Sequence, residues 1–163
     1  MSKRQHHATN RTLHLVDLEN LLGDRRKEEV ALDGLRRYLA LARWEEGDQV
    51  LVAAHPEIIR QVGFASPAPC SLHATAGDDA ADLMLLAHAP AELVIRRYSR
   101  LVVGSGDGIF VDRAVAARAG GVGVAVVARA DGCSTRFRRR AFPVLDFSID
   151  DLLAVDPVLE LAA

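Results

Sequence analysis

Apolar runs rich in Val and Leu alternate along this chain with segments whose apolar residues recur every three or four positions. That alternation is the mark of a parallel sheet covered by helices on both faces. Residues 13–18, 49–54, 101–104 and 122–128 read as strands, with weaker ones at 70–74 and 143–147. Helical spacing covers 32–42, 57–62, 79–88, 91–98, 110–118 and 134–140, with breaks at Gly47-Asp48, Pro67-Ala68-Pro69 and Gly120-Gly121. The expected fold class is α/β, a Rossmann-like three-layer sandwich around a mostly parallel central sheet. Residues 1–11 are polar and read as a flexible tail, 12–147 as one domain, and 148–163 as a final helix or tail interrupted by Pro157.

The ends of two strands carry the chemistry. The first run stops in Asp17-Leu18-Glu19-Asn20 and the fourth in Ser105-Gly106-Asp107-Gly108. Strands buried on both faces are apolar, so carboxylates at their carboxyl ends cost free energy unless a cation, partner or ligand compensates them. In an open doubly wound sheet, ligands bind beyond those ends where the strand order reverses, between the first and fourth strands, so Asp17 and Asp107 are expected to meet. Asp79 and Asp82, three apart on the helix 79–88, can face the same crevice. A helix N-cap accounts for Asp79, whereas Asp82 sits inside the apolar run Ala80-Ala81-Asp82-Leu83-Met84-Leu85-Leu86 and needs another reason. Gathered carboxylates repel one another unless a cation offsets them, and an all-oxygen donor set favours Mg²⁺ or Mn²⁺ over zinc. Such an ion can polarise a phosphate oxygen and activate a water, which makes a phosphodiester the natural substrate. On the residues alone, a second account stands beside this one, in which the acids are scattered caps and surface charges.

Composition adds limits. A length of 163 residues with 50% hydrophobic content suits one compact domain. A net charge of −2 argues against a general nucleic-acid coating protein, but 20 Lys plus Arg allow a local basic patch. Two clusters qualify: Arg25, Arg26 and Lys27, expected in the loop above the crevice, and Arg136, Arg138, Arg139 and Arg140 near the last strand. Proximity favours the first as the substrate-binding group. Aromatic residues are 5% of the chain, so extensive base stacking is not expected, and Trp44 is assigned to the core. His55, His73 and His88 read as structural histidines, His55 being the one at a strand end. Cys70 and Cys133 lack the spacing of a zinc site or disulfide framework, which fits a reducing cytoplasm. No apolar stretch is long enough to span a bilayer, and the first residues lack a secretory core. No Gly-rich phosphate loop is present, which disfavours a nucleotide hydrolase.

Together, Asp17-Leu18-Glu19-Asn20, Ala81-Asp82-Leu83-Met84-Leu85 and Ser105-Gly106-Asp107-Gly108-Ile109-Phe110, followed by Gly121-Val122-Gly123-Val124, resemble in type and order the motifs of the NYN domain. This family is a branch of the PIN-like ribonucleases, and the resemblance covers roughly residues 12–147. It implies a PIN-like fold, Mg²⁺ or Mn²⁺ as cofactor, RNA as partner and endonucleolytic hydrolysis. It also implies Asp17, Asp82 and Asp107 as metal-binding catalytic carboxylates, with Asn20 and Ser105 orienting them or the scissile phosphate, and Glu19 binding metal through water. One departure is Ile109, where many members carry a second acid; Asp112 or Asp79 are the substitutes the chain offers. That departure also motivates the alternative of a catalytically inactive NYN-like module that binds RNA or protein. Homodimerisation is left open.

Overall fold

In the computed structural model, which describes residues 10–150, Thr12–Asp17 forms the strand β1 with all six residues buried. β2 (Gln49–Ala54) and β3 (Cys70–Ala74) lie to one side of it. β4 (Arg100–Gly104), β5 (Gly123–Ala128) and β6 (Val144–Asp146) lie to the other. The order is β3-β2-β1-β4-β5-β6, and every neighbouring pair is parallel. The strand order therefore reverses between β1 and β4, with all carboxyl ends on one rim. Register aligns Asp17 with Ala53 and Val16 with Gly104, so Asp17 stands level with the start of the loop after β4.

The two-residue alternation of the strands divides the core. Leu13, Leu15, Leu51, Ala53, Leu101, Val103 and Val126 face one side. There they meet α4 (Ala80–His88), α5 (Ala91–Arg97), α6 (Val111–Ala119) and α7 (Thr135–Arg139) through Leu85, Val94, Val111 and Phe137. Val16, Val50, Val52, Val102 and Val127 face the other, against α1 (Leu18–Leu22), α2 (Ala31–Leu41) and α3 (Pro56–Val62). Each large side chain buried this way contributes about 1.5–3 kcal/mol. The result is the expected three-layer sandwich. Trp44 packs against the second cluster as assigned, and Cys70 and Cys133 are free thiols.

Three details differ from the sequence pattern. Leu18 does not end β1 but begins α1, a five-residue helix too short to show periodicity, which Asp17 caps and Gly23 closes. The basic run then winds as a 3₁₀ turn over Gly23–Lys27 in place of an open loop. Arg11, assigned to the tail, already belongs to the fold: its Nε donates to Gly47 O and its carbonyl accepts from Ser99 N. Residues 1–9, with His6 and His7, and the tail beyond residue 150 lie outside the described residues. Among the described residues no helix is long and apolar enough to cross a membrane.

The polar groups around His14, near the amino end of β1, satisfy one another. His14, fully buried in β1, lies 3.0 Å from Tyr38 Oη through Nδ1 and 3.3 Å from Asp48 Oδ2 through Nε2. A neutral imidazole protonated on Nε2 meets both partners, accepting from the phenol and donating to the carboxylate. Burial lowers the imidazole pKa, and the Asp48 carboxylate only partly offsets this. Burial also raises the Asp48 carboxyl, but N–H donation from Thr12 and Glu45, at 2.8 and 3.0 Å, together with His14, holds it below the ordinary range. Because the folded His14 pKa lies below the unfolded value, the unfolded chain binds the extra proton. The contribution of His14 is therefore present above about pH 6.5 and is lost as pH falls toward the folded value. Replacing His14→Gln is expected to cost about 1–3 kcal/mol at pH 7.5 by breaking this network. The gap to wild type should narrow on acidification to about pH 5.5, as read by urea midpoints; a gap that is constant with pH would contradict the assignment.

Candidate metal centre

The cleft at the carboxyl rim between β1 and β4 has a volume of about 310 Å³, and its lining includes the acids Asp17, Asp79, Asp82 and Asp107 and the basic residues Arg26 and Arg129. Asp17 ends β1, and its Oδ1 accepts from Asn20 N at 3.0 Å, so one carboxylate both caps α1 and faces the cleft. Asp107 follows β4 and caps the turn Gly108–Phe110 through Ile109 N, at 2.9 Å. Asp82 lies in the first turn of α4, 4% exposed, and its Oδ1 is buried with no hydrogen-bond partner. A buried unpaired carboxylate oxygen is costly, which answers why Asp82 interrupts an apolar run: the oxygen is directed at the cleft.

Asp79, Asp82 and Asp107 each offer an oxygen, and the three oxygens lie within 4.8 Å of one another. Oxygens bound to one hard cation are separated by at most about twice the metal–oxygen distance, roughly 4–5 Å, so the trio can coordinate a divalent cation. Asp17 lines the same cleft and interacts with Asp82. The electrostatics match. Burial raises the Asp82 carboxyl most, and the Asp17 contact and the Asp107 charge add to it, pushing it up to about 8. Burial also raises Asp17, partly offset by its contacts with Asp82 and Asn20. Both shifts favour the protonated form unless a cation offsets the charge.

Asp79 departs from the N-cap expected of it. It occupies that position before α4, but its side chain makes no capping bond and its backbone is left-handed, with φ at 55°. A non-glycine residue there is held at a cost of order 1 kcal/mol, and its carboxylate is turned into the acidic trio. Asp112, the other substitute for the acid missing at Ile109, does not line the cleft. Residues 111, 114 and 117 of α6 face the core, which leaves Asp112 exposed and paired with Arg136 at 3.0 Å. Ile109 itself packs against the core.

Ser105 and Asn20 act on the backbone of the site. Ser105 Oγ, buried, accepts from Asp107 N at 3.2 Å, and Asn20 Oδ1 accepts from Gly106 N at 2.9 Å, tying α1 to the loop after β4. Gly106 allows that loop to close on the one after β5: Ser134 N donates to Gly106 O at 2.7 Å, and a Cβ at 106 would fall 2.0 Å from Gly132 O. Glu19 accepts from His55 N and lines the cleft edge. His55 caps α3 by accepting from Glu57 N at 3.3 Å, and the His73 and His88 rings meet at a tilt of 50° with centroids 4.8 Å apart.

The basic run separates on folding. Arg26 lines the cleft, Lys27 an adjoining hollow, and Arg25 turns away to Glu28 and Asp150. Arg129 was missed by the motif search, although its signal is the one that marks Asp17: it directly follows the apolar run of β5. Thr75, which follows β3 and lines the same cleft, carries the same signal.

No known family model matches the chain, and none of the curated proteins matches it significantly. The fold and site define it as an α/β protein with a parallel, doubly wound sheet and a buried carboxylate cluster able to coordinate a divalent cation.

The folded Asp82 pKa lies above the unfolded one, so the folded state binds the extra proton. Its contribution is therefore full below about pH 4 and is lost as pH rises toward about 8. In EDTA, wild-type stability should carry a loss on the order of 1 kcal/mol per pH unit from this group in that window, and Asp82→Asn should abolish that slope in urea titrations. Added Mn²⁺ should raise the melting temperature of wild type, more at pH 8 than at pH 6 because the ion must displace the proton, and leave Asp82→Asn unchanged. A Mn²⁺ response that survives the substitution would remove Asp82 from the site.

Proposed function

We propose that this chain is a metal-dependent endoribonuclease of the PIN-like type, hydrolysing RNA phosphodiester bonds with Mg²⁺ or Mn²⁺. The observation that carries the reading is the convergence of Asp79, Asp82 and Asp107 within reach of one cation, with the Asp82 oxygen otherwise unpaired. The motif order around Asp17, Asp82 and Asp107 supports RNA as the substrate. When bound, the cation would supply Lewis-acid polarisation of a phosphate oxygen and a lowered pKa for water at the site.

The protein's own residues have separable tasks. Asp79, Asp82 and Asp107 would hold the cation, with Asp17 beside Asp82 in the same cleft. Asn20 and Ser105 fix the loop that carries Asp107, and Arg26, in the same cleft lining, is the cation for the substrate backbone. Asp79 supplies the oxygen that Ile109 cannot, which favours a competent site over an inactive binding module. A binding module would retain RNA affinity with no saturable cation site.

Asp107→Asn is expected to lower Mn²⁺-dependent cleavage of single-stranded RNA by more than about 100-fold, beyond the loss typical of an outer-shell partner, with an unchanged circular dichroism spectrum. Asp112→Asn should cleave at the wild-type rate. Equal turnover of Asp107→Asn and wild type would refute the assignment, and a preference for small phosphomonoesters over RNA would redirect it to a phosphatase.

A further inference from the structure

The basic part of the cleft lining is built around one glycine. Gly23 closes α1 with φ at 56°, and two guanidinium groups converge on it. Arg26 Nη1 donates to Gly23 O at 3.2 Å. Arg129 lies directly against its α-carbon: a Cβ at 23 would fall 2.3 Å from Arg129 Nη1 and 2.5 Å from Cζ. On its other side Arg129 rests on Gly132, where a Cβ would come within 3.0 Å of Nη2. Two glycines thus leave a slot for one flat guanidinium.

The contacts of Arg129 fix its orientation without using up its donors. Nε donates to Asn20 O at 3.0 Å, the residue whose side chain holds Gly106 N, so the same residue sets the guanidinium and the Asp107 loop. Nη1 meets Asp131 at 3.4 Å, but that carboxylate is 78% exposed, and a long, exposed pair of this kind is weakly held. Among the described residues nothing accepts from Nη2. Arg25, in contrast, is consumed by Glu28 and Asp150, and Arg136 by Gly108 O and Asp112. A planar guanidinium, oriented through Nε on a residue that lines the cleft, is a group suited to gripping a phosphate through two parallel bonds.

The geometry points to Arg129, seated between Gly23 and Gly132 and joined by Arg26, as a phosphate clamp that holds a phosphodiester of a single RNA strand in the cleft that the acids line. This rests on the ribonuclease reading for the identity of the strand. The clamp works without the cation, since Arg129 and Arg26 are positioned by protein atoms alone. The acids and the arginines line one cleft, so a strand gripped by the arginines presents a phosphate to the carboxylates. Arg129 is thereby the substrate-binding residue of the site, in the place that Arg25 and Lys27 do not fill.

Binding and cleavage separate the clamp from the nuclease reading. The probe is a fluorescein-labelled, mixed-sequence single-stranded oligoribonucleotide, its anisotropy followed in EDTA at several salt concentrations. Arg129→Gln should weaken binding at least tenfold and reduce the slope of log affinity against log salt by about 0.7, the value for one lost contact to a single strand. Arg129→Lys should restore the slope but not the full affinity, because an ammonium cannot make the paired bonds. Gly132→Ala, which leaves the charge in place but displaces Nη2, should weaken binding with no change in melting temperature, and Arg139→Gln on the exposed face of α7 should bind as wild type. Undetectable binding by wild type at low salt, or equal affinities for wild type and Arg129→Gln, would overturn the clamp. If Mn²⁺-dependent cleavage fails while the Arg129 effects on binding appear, the nuclease reading falls and the clamp stands. If cleavage is present and Arg129→Gln changes neither binding nor KM, the reverse holds.

Discussion

The parallel pairing of β1 with β4 is the constraint on which the rest depends. Their register ends both strands at one level, and the reversal of strand order there leaves no crossover helix above them. Side chains just past Val16 and Gly104 consequently project into a shared opening. The first crossover after β3 brings in α4, whose opening turn adds Asp79 and Asp82. Four carboxylates in one partly buried opening repel one another and lose hydration, and the raised Asp17 and Asp82 pKa values express that conflict. A divalent cation coordinated by the cluster would resolve it.

The sheet is treated differently at its two ends. Around His14, every polar contact is met: Tyr38, Asp48, and the N–H groups of Thr12 and Glu45 form a closed set. At the carboxyl rim, Asp82 keeps an unpaired oxygen and Asp79 a left-handed backbone. Satisfied polar groups stabilise a fold, and unsatisfied ones store a capacity to bind. The two ends also titrate in opposite senses. His14 gains from rising pH and Asp82 loses, so the stability profile between them is flatter than either end alone would give.

Much of this was legible in the chain because the strands are short, apolar and bounded by breakers. The limits of β2 and β3 follow from Gly47-Asp48 and Pro67-Ala68-Pro69, and the acids Asp17 and Asp107 announce themselves as the first carboxylates after apolar runs. The misassigned parts have local causes. α1 is shorter than two helical turns, so Leu18 looked like a continuation of β1. Asp79 matched a cap so well that its cleft-facing role was weighed only as a substitute, and its positive φ has no sequence signature outside glycine. Asp112 fell to helical phase: one position past Val111 puts it on the solvent side of α6. Arg129 was passed over because clusters of charge draw attention and a single arginine does not.

Position 79 has a further meaning for the history of such a chain. Glycine would adopt that backbone without strain, so fold stability by itself pulls toward loss of the carboxylate. Aspartate is among the few other residues that take up this conformation, at a modest cost that a role in the proposed site would offset. In descendants released from that role, this is the acid expected to erode first, ahead of the buried Asp82 or the doubly tethered Asp107. A glycine at this place in an otherwise similar protein would then be an early sign that chemistry had given way to binding alone.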